Sequence, residues 1–507
     1  MKIETIKRTL ITTFSLLAVL SIATLSGCAT TPAPFESAEL EAIAENNLQQ
    51  VNADQQPVTG PITMYEAMAR ALRYNLDYKV ELMTQMLRSK EHNLARYDML
   101  PTLVANSAYI ARDTFGGASS SRLESPTRVG SQSLVASTSA EREFLQHDAE
   151  ISWDILDFGL SYIRAKQKGD DILIAQEQKR KVANRIIEDV RTAYWRAVSA
   201  ERLVKKLASL EGEVDQALTH SRRTHSELQV KPLEALTYQR ELMETKQEVQ
   251  QLQRDLIIAK QQLAALMNLK PEEEFELVLP ERDIRAVRLN IEGDDMVTIA
   301  LNNRPEMREI AYRRRINERE ATAALLDLLP SLRIHGGFNY DDNSFLFNNS
   351  WANWGAKASW NLLEAFRYPA RKKTVAAQDA LFYQRSLALT MAVITQVHVS
   401  RIRFEHAYRQ VKTMQELHHV QENILEQINA GYAAKRVSQQ SLIREKMNTM
   451  IADAKYDIAL ATLHNAFANV YASMGINPYG DDVVGNEDIA DMTNKLQAYW
   501  ARQGDQT

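Results

Sequence analysis

The sequence repeats itself, and this duplication constrains the fold more than any single motif. Glu91, Ala95, Asp98, Leu100, Pro101 and Leu103 match Glu320, Ala324, Asp327, Leu329, Pro330 and Leu332, each pair 229 residues apart. Ala71 and Leu72 match Ala300 and Leu301 at the same offset. Further along the offset becomes 207: Ser152-Trp153 matches Ser359-Trp360, and Leu156, Arg164, Lys166 and Val190 match Leu363, Arg371, Lys373 and Val397. Met267 and Pro271 keep it against Met474 and Pro478. The first copy therefore carries about 22 extra residues between its proline and its tryptophan. Two structural repeats follow, 63–269 and 293–476, with a linker at 270–292 and tails at 28–62 and 477–507.

Each copy presents the same order of signals. A lead-in helix of roughly 37 residues runs to Pro101 or Pro330, where the ring removes a donor and crowds the preceding turn. Two strand-like segments come next. In the second copy Leu332, Ile334, Gly336, Phe338 and Tyr340 share one face of the first, and Trp354, Ala356, Ala358 and Trp360 share one face of the second. Asn353, Lys357 and Ser359 alternate with them, the period of a half-apolar strand. The first copy offers Leu103–Ala111 and Ala140–Trp153, a weaker pattern interrupted by His147 and Asp148. The Ser- and Gly-rich stretch Gly116–Thr138 holds the extra residues and is expected to be a surface loop.

A long helix then extends from about Tyr162 to Arg222; at 1.5 Å per residue, roughly 60 residues span about 90 Å. Ala193, Ala197, Ala200, Val204, Leu207, Val214 and Leu218 keep a three/four rhythm. The return helix carries Val249, Leu252, Leu256, Ala259, Leu263 and Leu266 at heptad spacing. The second copy repeats this from about Ala370 to Ala430 and back to Tyr471. Such helices cannot bury their apolar stripe inside a compact globule, so they run as antiparallel coiled coils. Stacked end to end, a return helix and the next repeat's lead-in helix match the length of one long helix. The fold class expected is mainly α with a small β part, with four strands per chain.

The front end adds an address. Lys2, Lys7 and Arg8 precede an apolar stretch, Leu10–Thr24, that ends in Leu25-Ser26-Gly27-Cys28, a secretory signal (1–27) with a bacterial lipobox. Cys28 is the one cysteine of the chain and the expected lipidation site, so no disulfide forms within the mature chain. Ala29, rather than aspartate, follows it and favours sorting to the outer membrane. A formal net charge of -5 gives no reason to expect nucleic acid as a partner. Beyond the signal no apolar run reaches helix-spanning length, so the chain is lipid-anchored or enters a membrane as strands.

At this point the chain resembles the TolC-like outer membrane factor family over nearly all of its mature length. The resemblance rests on Met64-x-x-Ala67-x-x-x-Ala71-Leu72-x-x-Asn75, Asp98-x-Leu100-Pro101, Trp153-Asp154-Ile155-Leu156-Asp157-Phe158-Gly159 with its relative Trp360-Asn361-Leu362-Leu363, and Tyr471-Ala472-Ser473-Met474-Gly475. The second tryptophan motif departs from the family pattern at Glu364-Ala365-Phe366. The resemblance implies a homotrimer with a twelve-stranded barrel in outer-membrane lipid, a twelve-helix periplasmic tunnel and an equatorial belt built from Lys270–Asn290 and the tails. It implies a periplasmic membrane-fusion adaptor and, behind it, an inner-membrane transporter of the RND (drug-proton antiport) or ABC (ATP-driven) type. The helical tips, Leu228–Pro232 and Ala434–Ser438, would meet the adaptor, with Val230, Lys231, Lys435, Arg436, Val437 and Ser438 as contact candidates. Lys435-Arg436-Val437-Ser438 resembles the family's Arg-Leu-Ser contact motif, with Val437 for leucine; the first tip lacks it.

Nothing in the sequence forms a catalytic constellation, and no cofactor or metal is implied. His418 and His419 are adjacent rather than four apart, so they do not share a helix face as a metal pair. Glu422 and Glu426, four apart near a tip, are either a cation-selective constriction or a solvent- or partner-facing stripe. Arg436 is a candidate to pair with a carboxylate across the closed tip. The apolar strand face that bears Trp354 and Trp360 is either a soluble core face or a lipid-facing surface, and on the second reading Trp153, Trp351, Trp354 and Trp360 are membrane-interface aromatics. The two readings separate a passive outer-membrane duct from a pore-free periplasmic coiled-coil scaffold.

Overall fold

A computed structural model describes residues 33–119, 121–133, 135–226, 231–270, 273–282, 289, 291, 293–477, 479 and 487–503. The chain divides into two units, Met1–Pro57 and Val58–Thr507. The first holds helix α1 (Ser37–Gln50), started by a capping box between Glu36 and Glu39 and burying no side chain.

The second unit begins with helices α2 (Met64–Tyr74) and α3 (Leu76–Tyr97) and strand β1 (Thr102–Ala111). Four short strands follow: β2 (Gly117–Ala118), β3 (Ser121–Ser125), β4 (Arg128–Ser133) and β5 (Ser137–Thr138). Strand β6 (Glu143–Asp154) then leads into α4 (Ile155–Ser226) and α5 (Pro232–Leu266). The second copy holds α6 (Gly293–Asn303), α7 (Pro305–Leu326), β7 (Ser331–Asp341), β8 (Ser350–Ser359), α8 (Glu364–Ala433) and α9 (Gln439–Ser473), and α10 (Ile489–Gln503) closes the chain. The stretch expected to be a loop at Gly116–Thr138 instead prolongs the β1–β6 hairpin, with β2 paired to β5 and β3 to β4. Backbone pairing needs no apolar alternation, so a Ser-rich ribbon leaves little trace in the sequence. Of the matched prolines, Pro271 and Pro478 lie outside the described residues.

The expected single lead-in helix is broken in both copies, and at equivalent points. Asn75 leaves the helical region (φ -59°, ψ 127°), and its side-chain oxygen accepts from the amides of Asp77 and Tyr78 to start α3. Arg304, 229 residues later, has φ -62° and ψ 132°, imposed by Pro305 at the first position of α7.

The return helices also end alike. After α5, Asn268 has φ 56°; after α9, Gly475, 207 residues on, has φ 69°. In each case the next amide reaches back five residues, Leu269 to Ala264 O (2.9 Å) and Ile476 to Tyr471 O (3.2 Å), the Schellman closure of a helix.

Side by side, α4 is flanked on one side by α3 above α5 and on the other by α7 above α9, while α8 packs on α7 and α9. The end-to-end pairs therefore join a return helix to the lead-in helix of its own repeat, not the next. Asn75 Nδ2 donates to Leu266 O (3.5 Å), and Gly475 lies against the backbone of Asn303 and Arg304. In this arrangement α3 and α5 occupy successive halves of one flank of α4, and α7 and α9 those of the other.

The predicted heptad positions lie inside: Ala197, Leu207, Val214, Val249 and Leu263 are buried, and Val204 and Leu252 pack against the cluster that holds Leu207, Val214 and Val249. One face of the slab is thickened at mid-height by a belt of α2, α10 and the bridge Ile62–Leu277. Trp500 of α10 is fully buried, edge-on to Tyr471 and stacked by Arg191 at 4.5 Å. Tyr194 on α4 ties the bridge down by donating to Ile62 O (3.2 Å) and Val278 O (2.8 Å).

Candidate functional site

The sheet at one end of the slab runs β1-β6-β7-β8, antiparallel throughout, with β1 and β8 as open edges. Its strands have 10, 12, 11 and 10 residues, the length a tilted membrane-spanning strand needs. The register carries one apolar face across all four: Leu103 faces Ile151, Ile151 faces Gly336, Gly336 faces Trp354, and Ala149 faces Phe338. The opposite face holds Asn106, Asp148, Asn339 and Asn353. His147 and Asp148 do not interrupt β6: His147 stacks on Tyr340, and Asp148 accepts from Asn106 Nδ2 at 2.8 Å. Among the described residues nothing covers the apolar face. Leu103, Ile151, Ile334 and Phe338 are exposed, and Trp354 is 90% exposed. Among the described residues no helix is long and apolar enough to cross a membrane.

The predicted aromatics divide by role. Trp153 and Trp354 share the apolar face, whereas Trp351, paired with Asn339, lies on the other. Trp153 and Trp360 pin the sheet to the helices: the Trp153 indole donates to Met99 O (3.3 Å) and the Trp360 indole to Leu328 O (3.0 Å), carbonyls at equivalent repeat positions. The following residues start the long helices. Asp154 Oδ1 accepts from the amides of Leu156 and Asp157, and Asn361 Oδ1 from Leu363. The second copy, with its divergent Glu364-Ala365-Phe366, keeps one of these bonds and starts its helix two residues later, at Glu364 rather than at the equivalent of Ile155.

At the far end of the slab, the second tip is a tight turn. Lys435 adopts φ 56°, the Arg436 amide closes on Gly431 O at 2.8 Å, and Ser438 Oγ accepts from the Ser441 amide at 3.1 Å to start α9. Val437 packs on Gly431, and Lys435, Arg436 and Ser438 are exposed. Among the described residues Arg436 makes no ion pair. The carboxylate that joins the two hairpins near the tips is Glu241 of α5, which accepts from Arg444 Nη2 (2.6 Å) and from Gln440 of α9. At the first tip, exposed Lys231 precedes Pro232 at the start of α5. Val230 lies outside the described residues, as does Cys28.

A ladder of ion pairs continues up the α4–α9 contact: Lys446–Glu213 (2.7 Å), Lys206–Asp453 (3.2 Å) and Arg202–Asp457 (2.6 Å). Arg282, on the linker that builds the belt, reaches both Asp453 (2.6 Å) and Asp457 (2.8 Å). Burial pushes the Asp453 carboxyl up, but Arg282 and Lys206 outweigh it and hold it below the usual range. His418 Nε2 lies 3.1 Å from Asp453, and Glu422 3.5 Å from His418 Nδ1, which places Glu422 on the belt side of α8. Glu426 is exposed one turn further. No sequence periodicity marks this cluster, because its members come from four separate segments.

No protein-family model matches the chain, and no curated protein sequence matches it. Solved structures do match. The Campylobacter jejuni CmeC outer membrane channel superposes with a TM-score of 0.62 at 12% identity, covering 93% of this chain and 98% of that one. The open state of the Neisseria gonorrhoeae MtrE outer membrane channel gives 0.60 at 14%, covering 82% and 89%. CusC, in structures concerned with folding and transmembrane channel formation, gives 0.61 at 14%, covering 83% and 96%. Two continuous and two interrupted helical rods capped by a four-stranded sheet are thus the fold that this chain shares with these solved structures. The chain has the fold of the TolC-like outer membrane factors.

Proposed function

We propose that this chain is the outer-membrane channel component of a tripartite efflux or type I secretion system and conducts its cargo passively. The observation that carries the reading is the sheet. A two-edged, four-stranded sheet with one whole apolar face bare is stable in lipid only if its edges are paired, and four strands cannot close on themselves around a pore. Further copies of the chain supply the missing strands, and three give the twelve that the family resemblance implies. The outermost helices support self-assembly. On α3, Leu76, Val80, Met83, Leu87 and Leu94 are exposed at heptad spacing. On α8, Val393, Val397, Phe404 and Val411 are buried inward while Leu381, Met391 and Ile402 are exposed. Among the described residues each of these stripes lacks a partner, and each suits the other's position on a neighbouring copy.

In this reading the slab spans the periplasm and its tips meet a membrane-fusion adaptor coupled to an RND-type or ABC-type inner-membrane transporter, which supplies the energy. Opening shears the α4–α9 contact, where the ion-pair ladder holds the two hairpins together. The acyl chains on Cys28 are an auxiliary tether on a protein held in the outer membrane by its strands. A Cys28→Ser variant that still reaches the periplasm tests this. It is expected to remain in the membrane fraction, to need detergent for extraction, and to migrate after cross-linking as three chains. Its release as a soluble monomer would leave a periplasmic scaffold as the better reading.

A further inference from the structure

On the face of the slab away from the belt, a cleft of about 500 Å³ opens where α4, α8 and α9 meet the break before α7. That volume suits a small-molecule ligand. Lys181, Arg185 and Glu188 enter it from α4, Arg403 from α8, and Arg304 and Glu306 from the break. Glu306 is already paired with Arg304 at 3.2 Å, and Arg304 also holds Gln396 at 2.9 Å. Lys181 also reaches Glu306, at 4.0 Å, so with Arg304 four cations meet two carboxylates, Glu306 and Glu188, and Lys181, Arg185 and Arg403 are exposed. Arg185 has a partner in Asp77 at 3.2 Å, but both side chains are largely in water, where such a pair is weak. Burial, with the neighbouring Asp189, raises the Glu188 carboxyl above its usual range, against the pull of Asn469 and Arg403.

The wall adds hydrogen-bonding groups of both kinds. Asn465 donates through Nδ2 to Thr192 (3.0 Å), while its buried Oδ1 and that of Asn184 accept nothing from the described residues. Cations at the mouth and amide acceptors in the wall together match a solute carrying carboxylates and hydroxyls.

The side on which the cleft lies gives it a role. When slabs close into a tube, only the convex side has room for an added layer. The belt marks that side, so the opposite face lines the channel. Resting on the duct reading above, we propose that this cleft is a lumenal station for small hydroxylated polycarboxylates, and that acidic solutes are a cargo class of the channel. Its cations, rather than Glu422 on the belt side, then set the charge that a passing solute meets at mid-height.

Citrate is a suitable probe. Titration calorimetry of citrate into the detergent-solubilised full chain is expected to show saturable binding. Replacing Lys181 and Arg403 together by glutamine removes two charge-assisted contacts and is expected to weaken it about tenfold or more. Glu188→Gln, which removes the opposing carboxylate, is expected to tighten it. Because the three residues sit on the surface of intact helices, circular dichroism of the variants is expected to match the parent. No saturable binding, or equal binding by parent and double variant, would overturn the inference. The same samples placed in planar bilayers separate the two readings: conducting protein that ignores citrate removes the station and keeps the duct. Citrate binding by protein that never conducts keeps the cleft as a site and removes the duct.

Discussion

Gly475→Ala is expected to destabilise the protein by about 3 kcal/mol or more, and Asn268→Ala, which puts the same residue at the equivalent position of the first repeat, to leave it within about 1 kcal/mol of the parent. Both positions lie in the left-handed region, at φ 69° and 56°, so that conformation alone does not separate them. What separates them is the neighbour. A Cβ on Gly475 would sit 2.6 Å from the Arg304 nitrogen and 2.7 Å from the Arg304 Cα and the Asn303 carbonyl carbon. These are backbone atoms at the start of a proline-led helix and have no rotamer to give way. In the first repeat, contact is made instead by the Asn75 side chain reaching Leu266 O. The added methyl therefore pries α7 off the end of α9. Thermal unfolding of the two variants in detergent, followed by far-ultraviolet circular dichroism, reads the contrast; equal effects would show that the end-to-end joint carries no load.

Asp457→Ala is expected to cost about 3 kcal/mol, near the low end for breaking a buried ion cluster because its arginines keep some contact with water. The Asp457 side chain is 2% exposed and receives both Arg202 and Arg282, whose side chains are 15% and 22% exposed. Its removal leaves the Arg202 and Arg282 guanidinium groups with Asp453 as the nearest remaining carboxylate and loosens the belt linker on α9. Arg282→Met alone is expected to cost less, since Arg202 and Lys206 still serve the two carboxylates. A double-mutant cycle between Asp457→Ala and Arg282→Met isolates their coupling. The cluster also predicts an acid response. The Asp453 carboxyl is held below its ordinary range, so its contribution is present above about pH 4 and is lost as pH falls through the lower folded value. Stability of the parent is expected to decline more steeply in that window than that of an Asp453→Asn variant, in which the other depressed carboxyls, such as Glu306 and Glu320, still titrate.

The long-range plan was legible because duplication is visible at the level of single letters, and because heptad spacing needs no tertiary knowledge. The buried series Ala197, Leu207, Val214 and Val249, Leu263 follows from spacing alone. The helix breaks were not read, although Pro305 was a signal for one: its partner, Asn75, breaks the helix by side-chain capping and leaves no equally clear mark. The pairing of end-to-end helices was assigned to the wrong repeat because lengths do not say which flank of α4 a rod covers. The hairpin at β2–β5 was missed because its composition is that of a loop. The belt cluster and the lumenal cleft were invisible for a common reason: each gathers side chains from segments hundreds of residues apart, as Arg202 and Asp457 or Lys181 and Arg403 show. The tryptophans show both sides of the problem. Alternation placed Trp354, Ala356 and Ala358 on one face and Asn353 on the other, as the register has them, and an odd spacing from Trp354 likewise puts Trp351 with Asn353, away from the apolar face.

The most direct test of the duct is the conductance of the purified Cys28→Ser protein in planar bilayers, where only the strands can hold it. Discrete, long-lived conductance steps are expected, requiring assembled copies and surviving removal of the lipid anchor. A folded protein that sediments as a monomer and adds no conductance at any concentration would contradict a membrane-spanning channel.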